Sequence, residues 1–444
     1  MKTMCKKFQN SIILLFEIII YLGNFAVFFG FLGMENKQLL CLSRTSVVIT
    51  FSWIVVGILL TVIYGKYDVG VRKSKPIIIS LTLMSLLTDG VAYLLLNFMN
   101  TNEDNNRSFR LEYFGLLLII MIIQLLLIIF MTYAGNKFYF WVQDPERCLV
   151  ITAKETDLSK VKNVIGKFHK RYRIDCVAGY QQENLKEIIR SVDSVFLYEI
   201  PVGERTDIVN YCYKHLINVY YNPEVADILE QNSKQVMFDD VTFLVSEFKG
   251  MTFEQRICKR LMDIFVSVIA LLLSSPILLV SALLIKKQDG GKVFFRQQRA
   301  TIHGKVFSIY KFRTMKEYVE NRSVTKDDDR ITPIGKILRK YRLDELPQFI
   351  NILKGEMSLV GPRPEMLENV DEYTKEMPEF KYRLRMKAGL TGYAQIMGKY
   401  NTSSKDKLML DLMYIENFSI LKDIQLLFQT VTVLFQADDS TEAF

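Results

Sequence analysis

Histidine is nearly missing from this chain of 444 residues, with three in all, so a site built on imidazole is poorly supplied. The six cysteines, Cys5, Cys41, Cys148, Cys176, Cys212 and Cys258, form no CxxC pair and no metal-ligand spacing. That suits a reducing compartment and argues against structural zinc. Glycine is absent where a dinucleotide-binding fold needs it, because the turn after the first strand of the middle region reads ITAKETDLSK. The phosphate-cradling fingerprint is therefore missing. The basic N-terminus, with Lys2, Lys6 and Lys7, precedes an apolar run with no small-residue cleavage site, so the run reads as a retained span.

What is abundant is apolar: 50% of the residues are hydrophobic, and they are gathered into runs. Ser11 to Leu32, Thr45 to Tyr64, Pro76 to Met99 and Tyr113 to Tyr133 each approach the roughly 20 residues that a bilayer requires. Basic residues set their direction: Lys66, Arg72, Lys73 and Lys75 lie between the second and third runs, whereas the loop after the third mixes Glu103, Asp104, Arg107 and Arg110. Four spans with a cytoplasmic N-terminus return the chain to the cytoplasm at about Lys137. Glu17 and Asp89 inside these runs mark either a polar pathway or ordinary packing in the bundle, and no transport motif accompanies them.

From 147 to 248 short apolar runs (CLVITA, RIDCVAGY, SVFLYEI, INVYYNP) alternate with helical stretches at Asp157 to Arg171 and Glu183 to Ser191. This is the pattern of a small α/β domain with a parallel sheet, and without the glycine turn it reads as structural or regulatory. A fifth apolar run, 261–285, is interrupted by Ser274-Ser275-Pro276 and has basic residues on both sides: Lys249, Arg256, Lys259 and Arg260 before it, Lys286, Lys287, Lys292, Arg296 and Arg299 after it. Keeping both clusters inside favours a re-entrant helix broken at Ser275-Pro276, with serine hydroxyls serving the freed backbone, over a proline-kinked span.

After Asp289-Gly290-Gly291, VFFRQQR and VFSIYKFRTM read as a β-hairpin turning at His303-Gly304-Lys305. Lys311 and Arg313, two apart, share a face suited to a diphosphate, or to anionic lipid. Asn321 to Arg330 is a polar loop, and Thr332-Pro333 starts a helix that brings Lys336, Arg339 and Lys340 toward Asp344 and Glu345. Leu346, Phe349, Ile350 and Leu353 recur at helical spacing up to Gly355, which sets the acid pair at a helix start as caps or as a site. Beyond it GEMSLV runs into Gly361-Pro362-Arg363-Pro364, where an extended Arg363 makes a phosphate clamp. Asp406 to Phe435 carries Asp411, Glu416, Lys422 and Asp423, and so reads as packed or interfacial helices.

The stretches RICKRLMDIFVSVIALLLSSPILL, VFFRQQR, FSIYKFRTM, DDRITPIGKILRKYRLDELPQFINILKGEMSLVGPRPE, AGLTGYAQIMG and LDLMYIENFSILKDIQLL make residues 251–435 resemble the bacterial sugar transferases, the polyprenyl-phosphate sugar-phosphate transferases of capsule, exopolysaccharide and O-antigen assembly. The whole layout resembles the family's long form. It implies a four-helix transmembrane domain over 1–140, a Rossmann-like cytoplasmic α/β domain over 147–248 and a mainly helical monotopic catalytic domain over 251–440. The resemblance implies transfer of a sugar 1-phosphate from a UDP-sugar to undecaprenyl phosphate with release of UMP, on the cytoplasmic face of the cytoplasmic membrane. It also implies that Asp344 is the nucleophile, that Glu345 holds Mg²⁺, and that Arg363, with Lys311, Arg313 and Arg339, binds the phosphates. The implied partners are the two substrates and the lipid bilayer; nucleic acid is not among them, and a homodimer is left open. Two stretches depart from the family pattern: ATIHGK lacks the first glycine often found there, and Met386-Lys387-Ala388-Gly389 lacks a proline, which affects loop shape and donor choice.

Two other readings compete. The first is a membrane scaffold or regulator with a degenerate catalytic domain. The second is a glycosyltransferase acting at carbon, for which Asp327-Asp328-Asp329 offers a formal DxD in a polar loop.

Overall fold

A computed structural model describes residues 5–6, 8–65, 67–99, 110–153, 155–316, 330–398 and 403–435. Lys2, Lys7, Lys66, most of the mixed-charge loop after the third span, and the polar loop from Asn321 to Asp329 with its DxD lie outside them. The chain divides into two compact units, Met1–Asn222 and Pro223–Phe444.

The first unit opens with helices α1 (Gln9–Glu35), α2 (Arg44–Tyr64), α3 (Ser74–Met99) and α4 (Phe114–Val142), each long and apolar enough to cross a membrane. Their burial is inverted relative to a water-soluble bundle. Asn24, Asp89 and Gln124 are buried, whereas Leu22, Ile58, Ile122 and Leu126 face outward. Only a lipid surround makes that arrangement favourable, because each inward polar group needs a partner that the hydrocarbon cannot supply. Trp53 Nε1 accordingly donates to Asp89 at 2.8 Å, and Asn24 Nδ2 donates to Ser85 at 2.9 Å. Asp89 is thus packed within the bundle core. The chain is a multi-pass membrane protein.

The α/β part of this unit comprises β1 (Glu146–Thr152), α5 (Glu155–Gly166), β2 (Tyr172–Gly179), α6 (Leu185–Arg190), β3 (Ser194–Tyr198), α7 (Val202–Lys214) and β4 (Asn218–Tyr221). The strands form one parallel sheet in the order β2-β1-β3-β4. Leu149, Ile151, Val195 and Leu197 are buried on it, so the four apolar runs read from the sequence are the four strands of a Rossmann-like sheet.

The second unit continues with α8 (Val225–Glu230), a hairpin of β5 (Lys234–Phe238) and β6 (Val241–Val245), and the 37-residue helix α9 (Phe253–Asp289). Ile228 of α8 shares a core with Phe380, Leu408 and Leu412. Helix α9 is inverted as well: Lys259, Asp263, Ser267, Ser274, Ser281 and Ile285 form its buried stripe, while Leu261, Phe265, Leu272 and Leu283 are exposed. Pro276 lies inside the helix and offers no N–H to Leu272 O; Ser275 Oγ donates to that carbonyl instead, at 2.8 Å. Side chains on both sides of the proline pack into the same unit, Val266 with Met357 and Leu359, and Ile285 with Phe312 and Leu338. Both ends of α9 therefore pack on the same unit, consistent with a re-entrant element, but the expected break at Ser275-Pro276 is absent: α9 runs as one helix through the proline, because the Ser275 hydroxyl meets the freed carbonyl.

The remainder is β7 (Phe294–Ala300) paired antiparallel with β8 (Val306–Phe312), α10 (Pro333–Lys340), α11 (Gln348–Lys354), β9 (Ser358–Val360), α12 (Leu367–Glu376), β10 (Gly389–Thr391), α13 (Tyr393–Ile396), α14 (Ser404–Glu416) and α15 (Ile420–Phe435). Strands β9 and β10 pair in parallel. A Cβ at Gly389 would overlap the backbone of Gly361, so glycine is required where the two strands meet. The last two helices are packed ones, with Leu408, Leu412, Tyr414 and Leu426 buried.

Candidate active site

The acid pair is held between β8, α10 and α11. Thr332 caps α10 through a 3.0 Å bond from Gly335 N to its Oγ1, with Pro333 in the first turn. The helix stops at Tyr341, and Arg342 adopts a left-handed conformation (φ 53°) before a 3₁₀ turn over Leu343–Glu345. A non-glycine residue in that region stores backbone strain, of the order of 1 kcal/mol, directly beside the acids. Helix α11 then starts after Pro347 and ends at Gly355 (φ 81°), the expected stop. Asp344 and Glu345 thus sit in a separate 3₁₀ turn ahead of the helix, rather than in its first turn. Asn351 ties α11 to β8, accepting from Tyr310 N at 2.9 Å and donating to Ser308 O at 2.8 Å.

That tie brings Lys311 to the acids. Its Nζ donates to Glu345 Oε1 at 2.7 Å, and Arg363 Nη2 lies 3.8 Å from the same oxygen. Arg339 donates from Nε to Thr314 Oγ1 at 2.8 Å, with its charge felt at Asp344. Arg313 goes elsewhere: β8 ends at Phe312, and the Arg313 guanidinium makes a two-point ion pair with Asp289, 2.8 Å on one side. Lys311, Arg339 and Arg363 therefore gather around the acids, and Arg313 closes the end of the membrane helix against the hairpin. Ser275 and Pro276 lie within α9.

The two adjacent carboxylates are driven apart. Burial pushes Asp344 up to about 6, the Glu345 charge adds to the effect, and Lys311 and Arg339 oppose it. Burial acts on Glu345 in the same direction but is outweighed by Lys311 and Arg363, which hold it at about 2. The result is one permanently charged carboxylate beside one poised near neutrality, with cations facing both. Among the described residues no three His, Cys, Asp or Glu side chains gather as a metal cage. The donor set is the hard oxygen of Glu345, with Asp344 adjacent, which suits a cation that takes its other ligands from substrate phosphates and water.

Four residues that sequence reasoning did not assign to the site support it from behind. Lys259 and Asp423 form a buried ion pair, as do Arg383 and Asp411, the latter at 2.6 Å. Lys259 and Asp423 are charges inside largely apolar helices, a pattern that marks burial without saying what is held, whereas Arg383 lies in the basic stretch PEFKYRLR and Asp411 in a mixed helix, where no such signal is present.

Residues 254–437 match the family described as bacterial sugar transferase. Over 182 residues the chain is 43% identical to a UDP-N-acetylgalactosamine-undecaprenyl-phosphate N-acetylgalactosaminephosphotransferase of Aeromonas hydrophila, covering 40% of this chain and 43% of that protein. It is 39% identical over 225 residues to a UDP-glucose:undecaprenyl-phosphate glucose-1-phosphate transferase of Klebsiella pneumoniae, 48% of each chain. Both alignments span less than half of the relative. The match to the galactosyl transferase CpsE of Streptococcus agalactiae is longer: 31% identity over 364 residues, 73% of this chain and 80% of that protein. With the membrane bundle, the parallel sheet and the acid-centred unit in the same order as the sequence motifs, the chain belongs to the bacterial sugar transferase family.

Proposed function

We propose that this protein transfers a sugar 1-phosphate from a UDP-sugar to undecaprenyl phosphate, releasing UMP and leaving undecaprenyl-diphosphate-sugar, through a covalent intermediate on Asp344. The observation that carries the reading is the adjacent acid pair faced by cations, with Lys311 2.7 Å and Arg363 3.8 Å from Glu345, and with burial raising Asp344 to about 6 while those cations hold Glu345 low. A carboxylate with a value near 6 is ionised at neutral pH yet poorly solvated, which is what an oxygen nucleophile needs. Its ionised oxygen attacks the sugar-bearing phosphorus, the bond from that phosphorus to the bridging oxygen breaks, and UMP leaves with the electron pair. An oxygen of undecaprenyl phosphate then attacks the same phosphorus, and the bond to Asp344 breaks to restore the carboxylate. One phosphate linkage is exchanged for another at each step, so no ATP is consumed.

Lys311 and Arg363 orient the diphosphate and offset the charge that grows on it, and Arg339 serves the Asp344 side. Glu345 holds Mg²⁺, which when bound neutralises phosphate charge as a Lewis acid. The names of the Aeromonas and Klebsiella relatives, both phosphotransferases to undecaprenyl phosphate, support this reaction class. The test is to supply the detergent-solubilised chain with undecaprenyl phosphate, Mg²⁺ and a panel of UDP-sugars, and to follow UMP for wild type and Asp344→Asn. UMP from the wild type alone supports the mechanism; UDP in its place refutes it.

A further inference from the structure

Arg363 is carried by a segment whose backbone is held at nearly every carbonyl. Gly361 N donates to Thr391 O and Gly389 N donates to Pro362 O, both at 2.9 Å, while Arg299 donates to Pro364 O at 3.2 Å. Two buried ion pairs grip the segment on either side of the arginine. On the upstream side, Lys259 of α9 donates to Val360 O at 2.9 Å while paired with Asp423, and the Tyr414 hydroxyl bridges the pair, accepting from Lys259 at 3.3 Å and donating to Asp423 at 2.8 Å, with Val360 O 3.2 Å away. One turn along α9, Asp263 accepts from Leu359 N and Ser358 Oγ at 2.9 and 3.0 Å. On the other side, Arg383 donates to the carbonyl of Arg363 itself at 2.7 Å while paired with Asp411. Lys259, Arg383, Asp411 and Asp423 are all nearly inaccessible to solvent.

Buried ion pairs are poor stabilisers against an apolar replacement, because desolvating two charges costs about what their attraction returns. Two such pairs aimed at the backbone of one short segment fit a different purpose, fixing that segment in place. We propose that Lys259 and Arg383 are positioning residues for Arg363, locking the backbone on either side of it so that its guanidinium faces Glu345. Because Lys259 and Asp263 belong to the membrane helix, that helix is part of the frame of the phosphate site as well as an anchor. This inference rests on the reading of Arg363 as a phosphate-binding residue.

The test is a double-mutant cycle on UMP release, using the UDP-sugar in the panel that the full-length wild type cleaves fastest. Arg383→Lys keeps the charge and loses the fork, and Tyr414→Phe removes a single hydroxyl while keeping the ring, so it tests the upstream grip in a variant that folds. Each lowers kcat about tenfold in the wild-type background and less than about twofold when Arg363 is already alanine. Tyr414→Phe takes a donor from buried Asp423 and so lowers the melting temperature, as any buried lost donor does; kcat is therefore compared at a temperature below the transition of every variant. Losses that multiply in full in the Arg363→Ala background overturn the proposal, because a merely structural role gives that result. If Asp344→Asn keeps releasing UMP, the reaction reading fails while the cycle still reports on Arg363, so the two failures are told apart.

Discussion

The split acid pair makes a quantitative prediction about pH. With Asp344 at about 6 and Glu345 at about 2, Asp344 is the member of the pair that titrates between pH 5 and 8. The ionised fraction of a group at 6 is about 0.9 at pH 7, 0.5 at pH 6 and 0.09 at pH 5, so kcat/KM for UMP release falls about tenfold from pH 7 to pH 5 along one limb. Lys311 favours the charged form of Asp344, so its removal moves the limb to higher pH. The assay is the first-turnover UMP burst at subsaturating UDP-sugar without undecaprenyl phosphate, whose second-order rate constant reports the same kcat/KM, so that the lipid phosphate does not contribute a titration of its own. Wild type and Lys311→Met are compared over pH 4.5 to 8.5. A flat wild-type profile between pH 5 and 7, or a limb that moves down in Lys311→Met, refutes the assignment of Asp344 as the ionised nucleophile.

The same burial has a thermodynamic consequence. A carboxyl raised in the folded state binds its proton more tightly there than in the unfolded chain, so the native state loses stability as pH climbs from about 4 to about 6 and carries the full penalty above that. Asp344→Asn removes the penalty, raising stability at pH 8 by up to about 3 kcal/mol, a gain that fades below pH 6; melting curves at pH 5 and 8 read it. Gly389→Ala drives a methyl into the backbone of Gly361 and costs about 2 kcal/mol or more in a thermal melt. Trp53→Phe leaves the buried Asp89 carboxylate without its indole donor and lowers bundle stability by about 1 to 3 kcal/mol, measurable as a drop in the melting temperature of the detergent-solubilised chain.

The elements legible in the sequence were those whose residues carry local physical reasons. Proline at the first turn with a threonine cap marks α10, Gly355 ends α11, and four apolar runs between helical stretches become the parallel sheet. The membrane helices followed from length and basic flanks. The serine in 274–276 also had a readable purpose, since the carbonyl freed by Pro276 is met by Ser275. What escaped was set by tertiary geometry. The acid pair was expected to be stabilised by a helix terminus, but a left-handed Arg342 starts a separate 3₁₀ turn, and burial then outweighs the helix end at Asp344. Strand alternation put Lys311 and Arg313 on one face, yet β8 ends between them and Arg313 turns to Asp289, 24 residues upstream. Lys259, Arg383, Asp411 and Asp423 converge on one segment from four places in the chain, a convergence that no local pattern encodes.

The most direct test of the central claim is the stoichiometry of the first half-reaction. Wild-type protein mixed with its UDP-sugar and Mg²⁺, with undecaprenyl phosphate withheld, is followed for UMP in the first turnover and for mass by intact-protein spectrometry. The covalent route predicts a burst approaching one UMP per active site and a mass increase of one sugar phosphate, located on the peptide carrying Asp344 and absent from Asp344→Asn. UMP that forms only once the lipid is added, with no adduct at any time, contradicts it and means direct attack by the lipid phosphate.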